Sequence, residues 1–170
     1  GYHQNTTGYS LLKHVQIDYK GNLDAEFKGA TPAIQFRYAD VLLNYAEALA
    51  ELDGANNATE IKNALQPLRD RVGMPNLDLA AANANPDPYL DNSETGYVNV
   101  KGDNKGIILE IRRERTIELM DENFRYYDII RWKEGQCFLQ KLYGIYIKGS
   151  GPQDFDGDGK IDAYLKAADE

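Results

Sequence analysis

A single cysteine, Cys137, stands in 170 residues, so the chain holds no disulfide framework of its own. Histidine is nearly as scarce. His3 and His14 are the only two, both in an irregular N-terminal stretch, and no metalloprotease His-Glu-x-x-His exists. The nucleophile-elbow pattern Gly-x-Ser-x-Gly and the phosphate-cradling glycine loop are absent too. Basic charge is in deficit: 19 Lys and Arg against 27 Asp and Glu leave a net charge of −8 and a pI near 4.8. A phosphate backbone needs a basic footprint, so nucleic acid is excluded as a partner, and neutral ligands or cations fit better. No run of about 18 apolar residues is present to span a membrane as a helix. Nor is a signal peptide visible. The chain opens on GYHQNTTGY without an initiator Met, from which a processed or truncated start is expected.

What is present is enough to fold. The chain is 42% hydrophobic and 11% aromatic, and its length suits one domain or a sizeable piece of a larger one. Twelve tyrosines against one Trp and five Phe favour half-wet surfaces, where a ring packs and its hydroxyl finds a partner. Residues 1–33 read as loop and extended segments, with TTGYS turn-like and HVQIDYK alternating as a strand does. A strong helix is expected over 34–52, where Ala39, Leu42, Leu43, Ala46, Leu49 and Ala50 share one face. Asn57 followed by Glu60 has the form of an N-cap with its capping partner, opening a second helix over 58–73. Pro67 is expected to kink that helix or break it in two. Two helices joined by a short turn form a helical hairpin, the unit of tetratricopeptide-like stacks, but no second copy recurs at a fixed period. Residues 75–105, rich in Asn, Asp, Pro and Gly, read as a long loop with YVNV as a short strand. Helices are expected again over 107–121 and 124–134.

The stretch EIRRERTIELMDENFRYYDIIRW mixes charge and apolar side chains on one face. At about 100° per residue, Arg115 and Glu118 fall inside the sector of Ile107, Ile108, Ile111 and Leu119. Leu109, Ile117 and Met120 form a second apolar strip opposite, so this helix is expected to be covered on two sides. In the next helix Asp128 lies between Arg125 and Arg131, flanked by Phe124 and Trp132. Buried charges persist only when paired, so Glu114, Arg115, Glu118, Arg125, Asp128 and Arg131 are expected to form an ion network locking the two helices. Carboxylates in apolar surroundings also serve as acids and bases. Neighbouring arginines hold them ionised, which favours a structural clamp over proton shuttling. Asn123, between the helices, suits a left-handed terminating residue.

The segment DFDGDGKID places Asp154, Asp156, Asp158 and Gly159 at positions 1, 3, 5 and 6 of an EF-hand-type loop. Lys160 would offer its carbonyl and Asp162 a further carboxylate. The bidentate acid at position 12 is missing, since Leu165 stands there. This donor set (154–162) fits a single, weaker structural Ca²⁺ site; a self-solvating Asp-Gly turn is the alternative.

Three motifs occur in order: RYADVLLNYAEALAEL, LRDRVGMP, and RRERTIELMDENFRYYDIIRW. Together they resemble the C-terminal part of SusD/RagB proteins, and TTGYS and GIYIKG add to the likeness. Gln66-Pro67 and Asn123 depart from the usual pattern, the former pointing to a locally distorted helix. The resemblance implies a mainly α fold of tetratricopeptide-like hairpins with long irregular loops and a few short strands. It implies a single piece, 1–170, of a longer SusD-like domain. It further implies an outer-membrane lipoprotein on the extracellular face, anchored through an N-terminal Cys upstream of this chain. Such a protein is not an enzyme. It binds oligosaccharide, or in some members peptide, and works with a TonB-dependent, SusC-like transporter. Cys137 follows a helix and is not the anchor. Two alternatives stand beside this: a tetratricopeptide-like protein-interaction scaffold, and a glycoside hydrolase on a helical frame. Loop aromatics are the natural sugar contacts, which singles out Tyr89, Tyr97, Tyr143 and Tyr146, though no family motif maps onto them.

Overall fold

The Ala- and Leu-rich run becomes helix α1 (Tyr38–Asp53) in the computed structural model of the chain. The structure describes Lys13 and residues 34–141, 143–144, 146–155 and 157–166. The two histidines, TTGYS, HVQIDYK and Asp156 lie outside these residues. The described residues divide between two compact units, one within 18–140 and a second that includes 141–166.

The first unit is helical, as expected: α1 is followed by α2 (Ala58–Asp70), α3 (Leu79–Ala84), α4 (Lys105–Glu118) and α5 (Phe124–Trp132), then a 3₁₀ turn at Gly135–Leu139. Helix α1 starts later than its periodicity suggests because Arg37 is extended, and its guanidinium is drawn to Glu118 and Glu122. Leu43, Ala46 and Ala50 pack with Ile61, Ala64 and Leu65 of α2 and with Ile107, Leu109 and Ile111 of α4. Small residues on α1 let the other two helices approach closely.

Two expectations about α2 need correction. Asn57 occupies the N-cap position but its side chain caps nothing; its amide donates to the Leu49 carbonyl, and Glu60 instead accepts from the Tyr45 hydroxyl. Pro67 does not break the helix. It sits near the C-terminal end, where its missing N–H costs one intrahelical bond, and its own carbonyl still accepts from Arg71. After α2 the chain turns away through Gly73, φ 70°, with the Met74 N–H donating back to the Arg69 carbonyl.

The stretch 75–105 is built, not structureless. Asp78 caps α3 by accepting from the Ala81 N–H at 2.9 Å. Asn83 then caps α4 from outside, its Oδ1 accepting from the N–H groups of Gly106 (2.9 Å) and Ile107 (3.3 Å). YVNV is not a strand: Val98 and Asn99 form a turn. On α4 the far strip is only partly covered, because Leu109 is buried while Ile117 and Met120 are exposed. Asn123 does adopt a left-handed φ of 64°, as does Asp121 at 65°.

Among the described residues of the second unit, β1 (Gly151–Gln153) pairs antiparallel with β2 (Ala163–Leu165), Pro152 opposite Tyr164. The acidic loop connects them.

Helix α3 approaches α4 at Gly106, where a Cβ would lie 2.4 Å from both the Ala82 carbonyl oxygen and the Asn83 Cα. Both are backbone atoms that cannot rotate away. Gly106→Ala is therefore expected to destabilise the fold by about 1–3 kcal/mol, as overpacking does. Urea denaturation checks it, and an unchanged midpoint would contradict the close approach.

Candidate functional site

Among the described residues, a densely bonded polar cluster lies where α1, α4 and α5 meet. Arg115 and Asp128, each 4% exposed, pair at 2.7 Å through Nε and Oδ2. Arg115 Nη1 also donates to Asp40 Oδ1 at 2.9 Å and to Asn44 Oδ1 at 3.0 Å, both on α1. The second Asp128 oxygen accepts from Arg131 Nε at 2.9 Å. Arg131 then forks onto both oxygens of Glu47 at 2.6 Å, and the Trp132 indole N–H donates to Glu47 as well. Burial alone raises the Glu47 pKa, but the Arg131 and Trp132 hydrogen bonds outweigh it and hold the carboxyl below its ordinary value.

The structure thus brings Arg115, Asp128 and Arg131 together but distributes the other expected members elsewhere. Glu114 bonds Arg69 of α2 at 2.5 Å. Glu118 meets Arg37 and Arg71, both at 2.8 Å. Arg125 donates to the Thr116 hydroxyl at 2.8 Å and lies over the Tyr97 ring. At Glu114 the neighbouring arginines do not outweigh burial. Burial pushes its pKa up, and Arg69 and Arg113 offset only part of that.

Sequence periodicity missed the α1 contributors Asp40, Asn44 and Glu47, since one helix wheel cannot show which foreign element faces it. The signal was nonetheless present: Glu47 falls between Leu43 and Ala50 on the apolar face of α1. A second buried centre was also missed. Glu134, fully buried, accepts from the Asn99 N–H at 3.0 Å and the Gln136 amide at 2.7 Å, and lies 3.4 Å from Arg112. The Arg112 guanidinium stacks 4.6 Å from the Trp132 ring, and burial pulls its pKa below the usual guanidinium value. This centre pins the long loop to the helices.

The four tyrosines separate. Tyr97 is 2% exposed, packed 5.7 Å from Trp132, and is corrected from a ligand contact to a core residue. The guanidinium groups of Arg112 and Arg125 lie 5.7 Å and 5.5 Å from its ring, within cation–π reach. Tyr89 in the first unit, and Tyr143 and Tyr146 in the second, are well exposed. The first unit also carries an open groove of about 440 Å³ lined by Ala58, Thr59, Lys62, Asn76, Leu77, Asp78, Leu79 and Ala80. Its lining combines hydroxyl, ammonium, amide and carboxylate groups with alanine and leucine side chains.

In the acidic loop, Asp154 accepts from the N–H groups of Gly157 (2.7 Å) and Gly159 (2.9 Å), both glycines having positive φ. Asp162 accepts from the Phe155 N–H at 2.7 Å, and Asp158 pairs with the Lys160 ammonium at 2.7 Å. Among the described residues, no three acidic, His or Cys side chains converge as a metal cage.

Comparison with known proteins places this geometry in context. The family model SusD_RagB, described as the SusD family, matches residues 1–164. The SusD-like protein P38 of Formosa agariphila is 34% identical over 135 residues, 79% of this chain. The chain spans 23% of that curated relative's length. No solved structure matches.

The depressed Glu47 pKa yields a pH signature. An acid whose folded pKa is lowered contributes stability that is fully present above its ordinary value of 4.5 and is lost as pH falls through the folded value. Glu47→Gln is expected to cost about 1.5–3 kcal/mol at pH 7, the range for a hydrogen bond to a charged group. The gap to the parent should narrow steadily below pH 4.5 in denaturant titrations. A gap independent of pH would show that the carboxylate charge is irrelevant.

Proposed function

The chain belongs to the SusD family, and from that premise we propose that it is part of a protein that captures oligosaccharides at the cell surface for import. The family match over residues 1–164 carries the reading. The partner proposed is a TonB-dependent, SusC-like transporter. The location proposed is the extracellular face of the outer membrane, with a lipid on a Cys outside these residues. A net charge of −8 is compatible with neutral sugars. Binding without turnover is the expected mode, in keeping with a family of substrate-binding proteins rather than enzymes.

Sugar contacts are proposed within each unit by itself: exposed rings in both units, and the groove in the first. A pyranose presents a C–H face that packs on a ring, which suits exposed Tyr89, Tyr143 and Tyr146. Its hydroxyls suit the groove donors and acceptors Thr59, Lys62, Asn76 and Asp78. Calorimetry against a panel of neutral oligosaccharides tests the proposal. Replacing a contacting Tyr by Ala should weaken binding about two- to tenfold, since an aromatic contact is worth about 0.5–1.5 kcal/mol. Release of shortened sugars would favour the hydrolase alternative. No sugar binding at all, with a protein captured instead, would favour the interaction scaffold.

For the β1–β2 loop we propose one structural Ca²⁺, held by Asp154, Asp156, Asp158, the Lys160 carbonyl and Asp162. The support is the alternation of hard oxygen donors with Gly159 at the sharp turn, φ 83°. The absent acid at position 12 makes the expected affinity weak, about 10⁻⁴–10⁻³ M, as in extracellular modules. Calcium titration of the parent should give a binding isotherm that the double variant Asp154→Ala, Asp156→Ala lacks. A flat trace from the parent discards the site.

A further inference from the structure

The groove of the first unit has two walls and one uncommitted charge. Thr59 and Lys62 stand on the α2 side, and Asn76 and Asp78 on the side facing it. The facing wall is tied down. The Leu77 N–H donates to Gln66 Oε1 at 2.9 Å, the Leu77 and Leu79 side chains are buried, and Asp78 Oδ1 accepts from the Ala81 N–H at 2.9 Å. At about 440 Å³ the groove falls in the range of small-molecule sites, about 300–1,000 Å³. Lys62 is exposed, and among the described residues its ammonium has no ion-pair or hydrogen-bond partner. Glu60, the acid closest to it in sequence, lies about 160° away round α2 and is bound to the Tyr45 hydroxyl of α1.

We propose that this groove takes an acidic sugar, a uronate unit, with Lys62 as the group that reads its carboxylate. The assignment rests on the sugar-capture reading above and narrows its ligand class. A ligand seated in the groove displaces water from the Lys62 ammonium. A neutral sugar replaces that hydration with hydroxyl oxygens alone, whereas a carboxylate returns charge-assisted hydrogen bonds, about twice as strong as neutral ones. Asp78 on the facing wall is an acceptor whose Oδ1 is already engaged, which leaves Oδ2 for sugar hydroxyls. The two walls thereby set a direction: the acid lies toward α2 and the hydroxyls toward Asp78. The net charge of −8 opposes anions at long range, but salt screens it beyond about 8 Å, so the charge in contact decides.

The test is calorimetry on the complete gene product with trisaccharides of galacturonate, glucuronate and mannuronate, each paired with its carboxyl-reduced neutral counterpart. At least one uronate should bind about two- to fivefold tighter than its neutral counterpart, the range for an exposed ion pair. The preference should fade as salt is raised to about 1 M. Lys62→Gln should bring the acid-to-neutral affinity ratio close to one, and Lys62→Arg should keep it above one, because the charge is retained. Equal binding of every acid and its neutral counterpart overturns the proposal and leaves sugar capture standing. A preference that survives in Lys62→Gln also overturns it, since the acid is then read elsewhere. Binding of no sugar, acidic or neutral, removes the sugar-capture reading and this proposal with it.

Discussion

Ionised side chains withdrawn from water persist only where each meets an opposite charge, and that constraint organises the helical unit. Arg115 is the hub. Its guanidinium reaches Asp128 of α5 and Asp40 and Asn44 of α1, while Asp128 passes the connection through Arg131 to Glu47. Desolvating these groups is expensive, and their mutual attraction offsets the cost only in the assembled geometry. Three helices are therefore held at one mutual arrangement. Apolar packing alone tolerates more slippage, because hydrophobic contact has no preferred direction.

The same pairing rule gives several charged residues of the family motifs a task. In LRDRVGMP, Arg69 crosses to Glu114 and to the Pro75 carbonyl, Arg71 reaches Glu118, and Gly73 supplies the left-handed turn that ends α2. In the later block, Glu114, Arg115, Glu118, Asp128, Arg131 and Trp132 all bond partners on other elements. Glu134 extends the frame outward by binding the backbone of Asn99. A long polar connection is thus held against the helices, and surface groups such as Tyr89 project from a fixed support.

The positions of the four longer helices were legible from periodicity because burial of an apolar face repeats every turn, whereas short α3 lies in a stretch that reads as loop. The clamp was legible in part. Arg115 and Asp128 stood out as charges in apolar sectors, and nothing but pairing could keep them there. Of their α1 partners, Glu47 carried a signal by its place on the apolar face, but Asp40 and Asn44 reveal their role only when a second helix is laid across them. Tyr97 misled for a related reason. Its neighbours in sequence are polar and loop-like, whereas its neighbours in space are Trp132, Arg112 and Arg125.

The amino-acid order by itself determined that the chain is mainly helical, acidic, unable to form an internal disulfide, and similar in its ordered motifs to the SusD family. Those properties depend on local spacing and composition, which need no knowledge of distant contacts. Only the tertiary structure decided which carboxylate meets which arginine, that the Asn- and Asp-rich connection is built around Asn83 and Glu134, and that one tyrosine lies inside while three lie outside. Those outcomes depend on side chains brought together from positions up to 85 residues apart, a juxtaposition that periodicity within any one segment does not encode.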